Sequence, residues 1–295
     1  MSDLPQQSRR TLLKLLGGAP LLPLGTLTSG SFLMGHSGQA EAKTINTGAR
    51  YVSSYFSSMP APTLSNPAAM ATTTVGSAFN VKLNDGTTQT YQLAYRTFFT
   101  TGDVVNATNA GTILAGGYFD INNQPIIDRS VAGKERQVFS DCPDGTSLLT
   151  LKNAKVAGVK GNPVFAVVQF EYATRDQSGA NTYGMLPSPI AVLTLDQSPD
   201  TGKLDFVSYS NVDMSKVDGL WITCGASLSP WNTHLSSEEY EPDAFGLILE
   251  PDSKASKQFK AFSKNLYGDE KRANPYHYGH MPEVTVHPDG TGSVK

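Results

Sequence analysis

The sequence predicts an all-β protein, and three observations carry that expectation. Apolar runs are mostly four to eight residues long, rich in Val, Phe, Tyr, Leu and Thr, and bounded by Gly, Asn, Asp or Pro. Asp-Gly recurs in Asn84-Asp85-Gly86-Thr87, Pro143-Asp144-Gly145-Thr146 and Pro288-Asp289-Gly290-Thr291, and this dipeptide suits the positive φ of tight hairpins. Only one stretch, SKASKQFKAFSKN at 253–265, reads as a good helix, with its lysines on a solvated face.

Taken in order, residues 43–72 are rich in Ser, Pro and Ala without an amphipathic period and read as an extended lead-in. Strands are expected at 78–81, 89–99, 147–152, 163–172, 190–195, 204–208, 220–224, 246–249 and 282–286. VLTLD-QSPDTGK-LDFVSYS is a hairpin with a longer loop. The repeated Pro-Asp-Gly-Thr turn suggests four-stranded units arranged around an axis, a β-propeller with ~40–45 residues per blade. At the end, the strand of Val284 to Val286 runs into the turn HPDGTG and stops at Lys295. A hairpin without a return strand leaves an edge unpaired. The expectation is therefore a partial propeller over 73–295, truncated at its C-terminus.

Composition narrows the classes. The net charge of −3 offers no basic surface for nucleic acid. The N-terminus carries Ser8-Arg9-Arg10-Thr11-Leu12-Leu13-Lys14, then a moderately apolar stretch to Met34, then Ala40-Glu41-Ala42 with small residues at −3 and −1 of a cleavage site. This order reads as an export signal over 1–42, and the arginine pair resembles the twin-arginine type. Pro20 and Pro23 interrupt the apolar stretch, which makes it a poor membrane span, and no later window is long and apolar enough to cross. The expected location is periplasmic or secreted, with the twin-arginine export machinery as a partner and disulfides permitted.

The chemistry concentrates in GLWITCGASLSPWNTHLSSEEYEPDAFG, beginning at Gly219. Read as a strand, it sets Leu220, Ile222 and Cys224 on one face, and the loop returns through Pro230-Trp231 to Glu238-Glu239. The residues alone leave Cys224 open to three roles: half of a disulfide with Cys142, a buried apolar residue, or a metal ligand beside carboxylates. A thiolate with carboxylates suits a mixed site better than a pure zinc site. There is no CxxC, HExxH or EF-hand loop, and no GxSxG, GxxxxGK[ST] or GxGxxG. His277 and His280 rank as surface or supporting residues.

WITCGASLSPWNTHLSSEEY resembles the C-G-G-x-x-x-P-W-x-T-x-x-x-x-E-E signature of the PhoX-type alkaline phosphatases. The later segment NPYHYGHMPEV resembles that family's N-P-Y-x-Y-G-x-x-x-E-[IV]. The resemblance spans roughly 147–295, and the export signal agrees with it. It implies a β-propeller that hydrolyses phosphomonoesters outside the cytoplasm through an iron–calcium cluster. Matched position by position, Cys224 corresponds to the thiolate bridging two irons, and Glu239 and Glu283 to carboxylate ligands. Glu238 belongs to the motif without a ligand role. Ala226 and Asn232 stand where the family has glycine, and His234 where an aromatic residue is common. Family members continue well beyond the equivalent of Lys295, so weak or absent activity is expected of this chain alone. The competing readings are a non-catalytic propeller with a Cys142–Cys224 disulfide, or another propeller metal hydrolase such as a phosphodiesterase or lactonase.

Overall fold

A computed structural model describes residues 48–68 and 74–295. The expected export signal at 1–42 lies outside the described residues, as do 43–47 and 69–72 of the lead-in. Two compact units divide the chain: the part up to Thr97 with Ser198–Lys203, and Phe98–Gln197 with Leu204–Lys295.

The first unit is an antiparallel sheet of β1 (Tyr51–Ser57), β2 (Thr74–Leu83) and β3 (Thr88–Ala94). Its hairpin is the expected Asn84–Thr87 turn, with Gly86 at φ 81° and the Asp85 carboxylate accepting from Thr87 N and Oγ1. β1 corrects the reading of this segment as an extended lead-in. Every residue of β1 is exposed, so no hydrophobic alternation marked it. It is fixed instead by pairing, which lines Phe56, Phe79 and Tyr91 in one row at centroid spacings of 5.0 and 6.3 Å.

The second unit opens with two short ribbons, β4 (Val104–Asn106) with β5 (Thr112–Leu114) and β6 (Ile127–Asp128) with β7 (Arg136–Gln137). Two four-stranded antiparallel sheets follow. One contains β8 (Pro143–Leu149), β9 (Asn162–Phe170), β10 (Ile190–Gln197) and β11 (Leu204–Asn211), each beside its sequence neighbour. The other contains β12 (Thr223–Leu228), β13 (His234–Glu238), β14 (Glu283–Val286) and β15 (Gly292–Val294) in the same meander. The all-β expectation holds, with several antiparallel sheets and few helices.

β9 and β10 are buried on both faces, and the two-residue period sorts their side chains. Phe165, Val167, Ile190 and Val192 join Val284, Val286 and Val294 of the second sheet in one core. Val164, Ala166, Leu193 and Leu195 turn to the opposite side with Tyr209 and Phe170.

Four expectations are revised. Pro143–Thr146 is the irregular start of β8, not a turn. Gly145 is needed there for closeness: a Cβ at this position would lie 2.5 Å from Ala226 Cβ and 2.7 Å from the Cys224 carbonyl oxygen. The strand expected at 220–224 starts only at Thr223, because Leu220, Trp221 and Ile222 are all buried and Ile222 adopts φ 42°. Residues 246–249 belong to helix α1 (Ala244–Leu249), whose first turn is capped by Asp243 accepting from Phe245 N and Gly246 N. Lastly, the terminal hairpin has a return strand, since β15 pairs with β14 across the expected turn with Gly290 at φ 84°. The four-stranded unit is also longer than expected, because helices are inserted between β13 and β14.

Helix α2 (Lys254–Tyr267) fulfils the helix expectation, with Ser253 accepting from Ser256 N and Gly268 closing it at φ 75°. Its other face is buried. Phe259, Phe262 and Leu266, at helical spacing, pack on Trp221, Ile222, Ala273 and Tyr278. Among the described residues no helix is long and apolar enough to cross a membrane.

Candidate functional site

The two signature segments are built around one scaffold. Between β12 and β13, Ser229 N donates to Thr233 O at 2.8 Å and their hydroxyls meet at 2.7 Å. Asn232 turns this corner at φ 69°, a left-handed conformation that asparagine tolerates. In the later segment, Asn274 caps a short turn by accepting from Tyr276 N. Tyr278 enters the aromatic core and its hydroxyl donates to Asp218 O at 2.9 Å. Gly279, at φ 88°, presents its N–H to Glu238.

The adjacent glutamates have opposite tasks. Glu238 turns inward and accepts from Trp221 N at 2.5 Å, Gly279 N at 2.7 Å and His280 N at 2.9 Å. Burial raises its pKa against these three donors. It is a structural acceptor that ties both signature segments together. Glu239 anchors its own N–H on Ile222 O at 2.8 Å, and its carboxylate is hydrogen-bonded by Tyr240. Alternation along the chain sends it away from Glu238, toward Cys224.

Cys224 is half-buried at the start of β12. Its thiol is pushed up by burial and then by three carboxylates, Glu239, Asp144 and Glu171, with Asp144 also hydrogen-bonded to it. Asp144 comes from β8, and Glu171 directly follows β9. Cys142 completes the group by donating its S–H to Glu171 Oε2 at 3.5 Å. Burial, then Asp144 and Glu239, raise the pKa of Glu171. Tyr172, hydrogen-bonded to the Cys142 sulfur, is pushed up to about 12. Tyr183 and Tyr240 border the same field, and both have raised pKa values. The charged groups with the largest effect on Cys224 are acids, a setting that disfavours its thiolate unless a cation is present.

The first sheet holds these strands at their spacing. Gln169 of β9 donates through Nε2 to the Cys224 carbonyl and, at 3.4 Å, to Gly225 O. Its Oε1 faces His234 Nε2 at 3.3 Å, while His234 Nδ1 meets Ser147 Oγ at 2.9 Å. An amide oxygen only accepts, so His234 is protonated on Nε2 and accepts from Ser147. Burial lowers its pKa to about 4. Thus His234 is a fully buried bridge between sheets. Buried Ser188 makes a second bridge: its hydroxyl donates to Glu171 O at 2.5 Å and accepts from Thr223 N at 3.3 Å.

Cys224 and Glu239 are therefore brought together, while Glu283 is engaged elsewhere. Its carboxylate accepts from Trp231 Nε1 and from Thr233 Oγ1 at 2.6 Å, and pairs with Lys295 at 3.0 Å. These partners, the Thr233 hydroxyl foremost, hold its pKa down to about 2. The register explains the separation, since Glu283 lies opposite Leu235, and Leu235 opposite Ser227, farther along β12 than Cys224. His277 and His280 are exposed as expected, the first at 2.7 Å from Asp218 and the second on Tyr276 O. Cys142 and Cys224 are free thiols, each on its own carboxylate.

Sequence reasoning missed Asp144 and Glu171. The available signal was a carboxylate directly after the apolar run PVFAVVQF. Thiols and carboxylates fit iron and calcium in kind. In position they stand as pairs, since no three His, Cys, Asp or Glu among the described residues are placed to hold one ion. Protein-family models, characterised proteins and solved structures were all compared with the chain, and none matches.

Proposed function

We propose that the protein is a metal-dependent phosphomonoesterase of the PhoX type, acting outside the cytoplasm. The observation that carries this reading is that Cys224 stands half-buried at the start of β12, with the acids Glu239, Asp144 and Glu171 raising the pKa of its thiol after burial itself. Such a group is unfavourable without a cation. The two four-stranded meanders, packed through a shared core, support successive blades of a propeller.

Cys224 and Glu239, with Asp144 and Glu171 alike in kind but not gathered about one point, are the residues that would offer ligands to iron and calcium ions. When bound, these ions supply polarisation of phosphoryl oxygens and neutralisation of charge on the transferring group. The chain's own contribution is placement. Gln169 fixes the Cys224 backbone, Tyr240 orients the Glu239 carboxylate, and Glu238 locks the loop behind both. Half-exposure of Cys224 leaves a phosphate ester access from solvent.

Elemental analysis and p-nitrophenyl phosphate turnover test the reading together. Iron and calcium should accompany the purified chain, and any turnover should depend on both metals and vanish in Cys224→Ser. A chain that takes up neither metal and hydrolyses no phosphomonoester overturns it.

A further inference from the structure

The helices between β13 and β14 turn an apolar surface and a basic row to solvent. α1 reads AFGLIL, and none of its residues is buried. Leu247 leans on the core of Trp221 and Phe262, whereas Phe245, Ile248 and Leu249 are 69, 74 and 61% exposed. Spaced three and four residues apart, these three side chains form one continuous patch. Single exposed apolar residues are ordinary, but adjoining ones mark a contact surface.

α2 supplies the charge. Lys254, Lys257, Lys260 and Lys264 follow in steps of three, three and four, so they stand in one row, on the side away from buried Phe259, Phe262 and Leu266. The helix carries no acid. Lys254 and Lys257 are exposed with no carboxylate paired to them among the described residues, while Lys264 reaches Glu270 at 3.4 Å. Lys260 Nζ donates to Pro251 O at 2.7 Å, which ties the row to the turn just after α1. Both helices pack on the same aromatic core, α1 through Leu247 and α2 through Phe259 and Phe262, so their outer sides face away from it. The flanking acids are Asp243, taken up in capping α1, and Glu250 and Asp252 on the link.

We propose that α1 and α2 dock the protein on an anionic lipid surface, with Phe245, Ile248 and Leu249 entering the headgroup layer and the lysine row lying over the phosphates. An apolar turn that stands out from the protein fits a deformable lipid layer, and the lysines beside it select anionic headgroups. Either feature alone would not separate a membrane from a protein partner; together they match the two attractions that hold interfacial helices. Docking of this kind requires neither a spanning helix nor a metal, so it stands apart from the phosphatase reading.

Vesicle co-sedimentation of the full chain tests it, with phosphatidylcholine alone and with an equal mixture of phosphatidylcholine and phosphatidylglycerol. The chain should sediment with the mixed vesicles, and salt should release part of it. Lys254→Gln and Lys257→Gln should each weaken partitioning about fivefold, and Phe245→Ser combined with Leu249→Ser about tenfold. Every variant keeps residues 1–42, so any pull of that apolar stretch cancels between variant and parent. The substituted side chains are exposed, so urea midpoints should match the parent, and Ile248→Ser replaces the double variant should that one unfold early. Equal sedimentation of parent and variants, or none with the mixed vesicles, overturns the proposal. Loss in the lysine variants alone also overturns it, because that marks charge adsorption without insertion. A dimer in sedimentation velocity that Phe245→Ser abolishes, without vesicle binding, assigns the face to a second copy instead. Phosphatidylglycerol-dependent binding that both sets of variants weaken upholds the proposal, with or without phosphomonoester turnover.

Discussion

Glu238 and Glu239 are chemically identical neighbours separated in role by one step of backbone alternation. Glu238 satisfies three N–H groups from two distant segments, so removing it strands the donor of buried Trp221 and releases the loop held at Gly279 and His280. Glu238→Ala should lower stability by about 1–3 kcal/mol in urea unfolding. Glu239→Gln should stay within about 0.5 kcal/mol of the parent but lose metal in elemental analysis. Equal effects from both substitutions would contradict the division. The motif exposed the acidic pair and Cys224, yet nothing in the sequence distinguished the two glutamates. Their roles depend on which N–H groups the later segment brings back, and that is a matter of long-range packing. Glu283 shows the same limit: its motif position was legible, whereas its capture by Trp231, Thr233 and Lys295 was not.

At the scale of elements, β8 and β12 meet where residue 145 has no side chain. Gly145→Ala would thrust a methyl onto Ala226 and the Cys224 carbonyl, and relief requires moving one strand. The expected cost is about 1–3 kcal/mol, read as a lower urea midpoint at an unchanged slope. Combining it with Ala226→Gly should recover part of the loss, because Ala226 Cβ is the nearest obstacle. The sequence presented this glycine inside Pro-Asp-Gly-Thr, the same string that makes a true turn at Gly290. Only the partner strand separates the two uses. β13 was invisible for a related reason: its buried positions are His234 and Ser236, so hydropathy gives no strand signal. The apolar run at 246–249 misled in the other direction, since a capped first turn made it helical and left Ile248 and Leu249 exposed.

For the molecule as a whole, folding buries a histidine that water would protonate. His234 has its pKa depressed to about 4, so it is neutral when folded, whereas the unfolded chain takes up a proton below about 6.5. The unfolded state then binds more protons between those values, and stability falls as pH drops through that window. The loss should approach about 3 kcal/mol by pH 4. His234→Gln should flatten this limb in urea titrations from pH 7 to 4, and an equally steep limb would show that another group is responsible. The short strands and Asp-Gly hairpins made the all-β class legible. The meeting of the two sheets was hidden, because Gln169, Ser147 and His234 are polar residues that sequence patterns assign to the surface. This meeting also has a thermodynamic consequence. Asp144 lies in one sheet and Glu171 directly follows a strand of it, while Cys224 lies in the other and Glu239 directly follows one of its strands. Any ion shared between them is a ligand of the folded state alone. If the proposed ion binds, its free concentration enters the folding equilibrium as RT ln(1 + [L]/Kd), and metal supply would act on the fold as temperature or denaturant does.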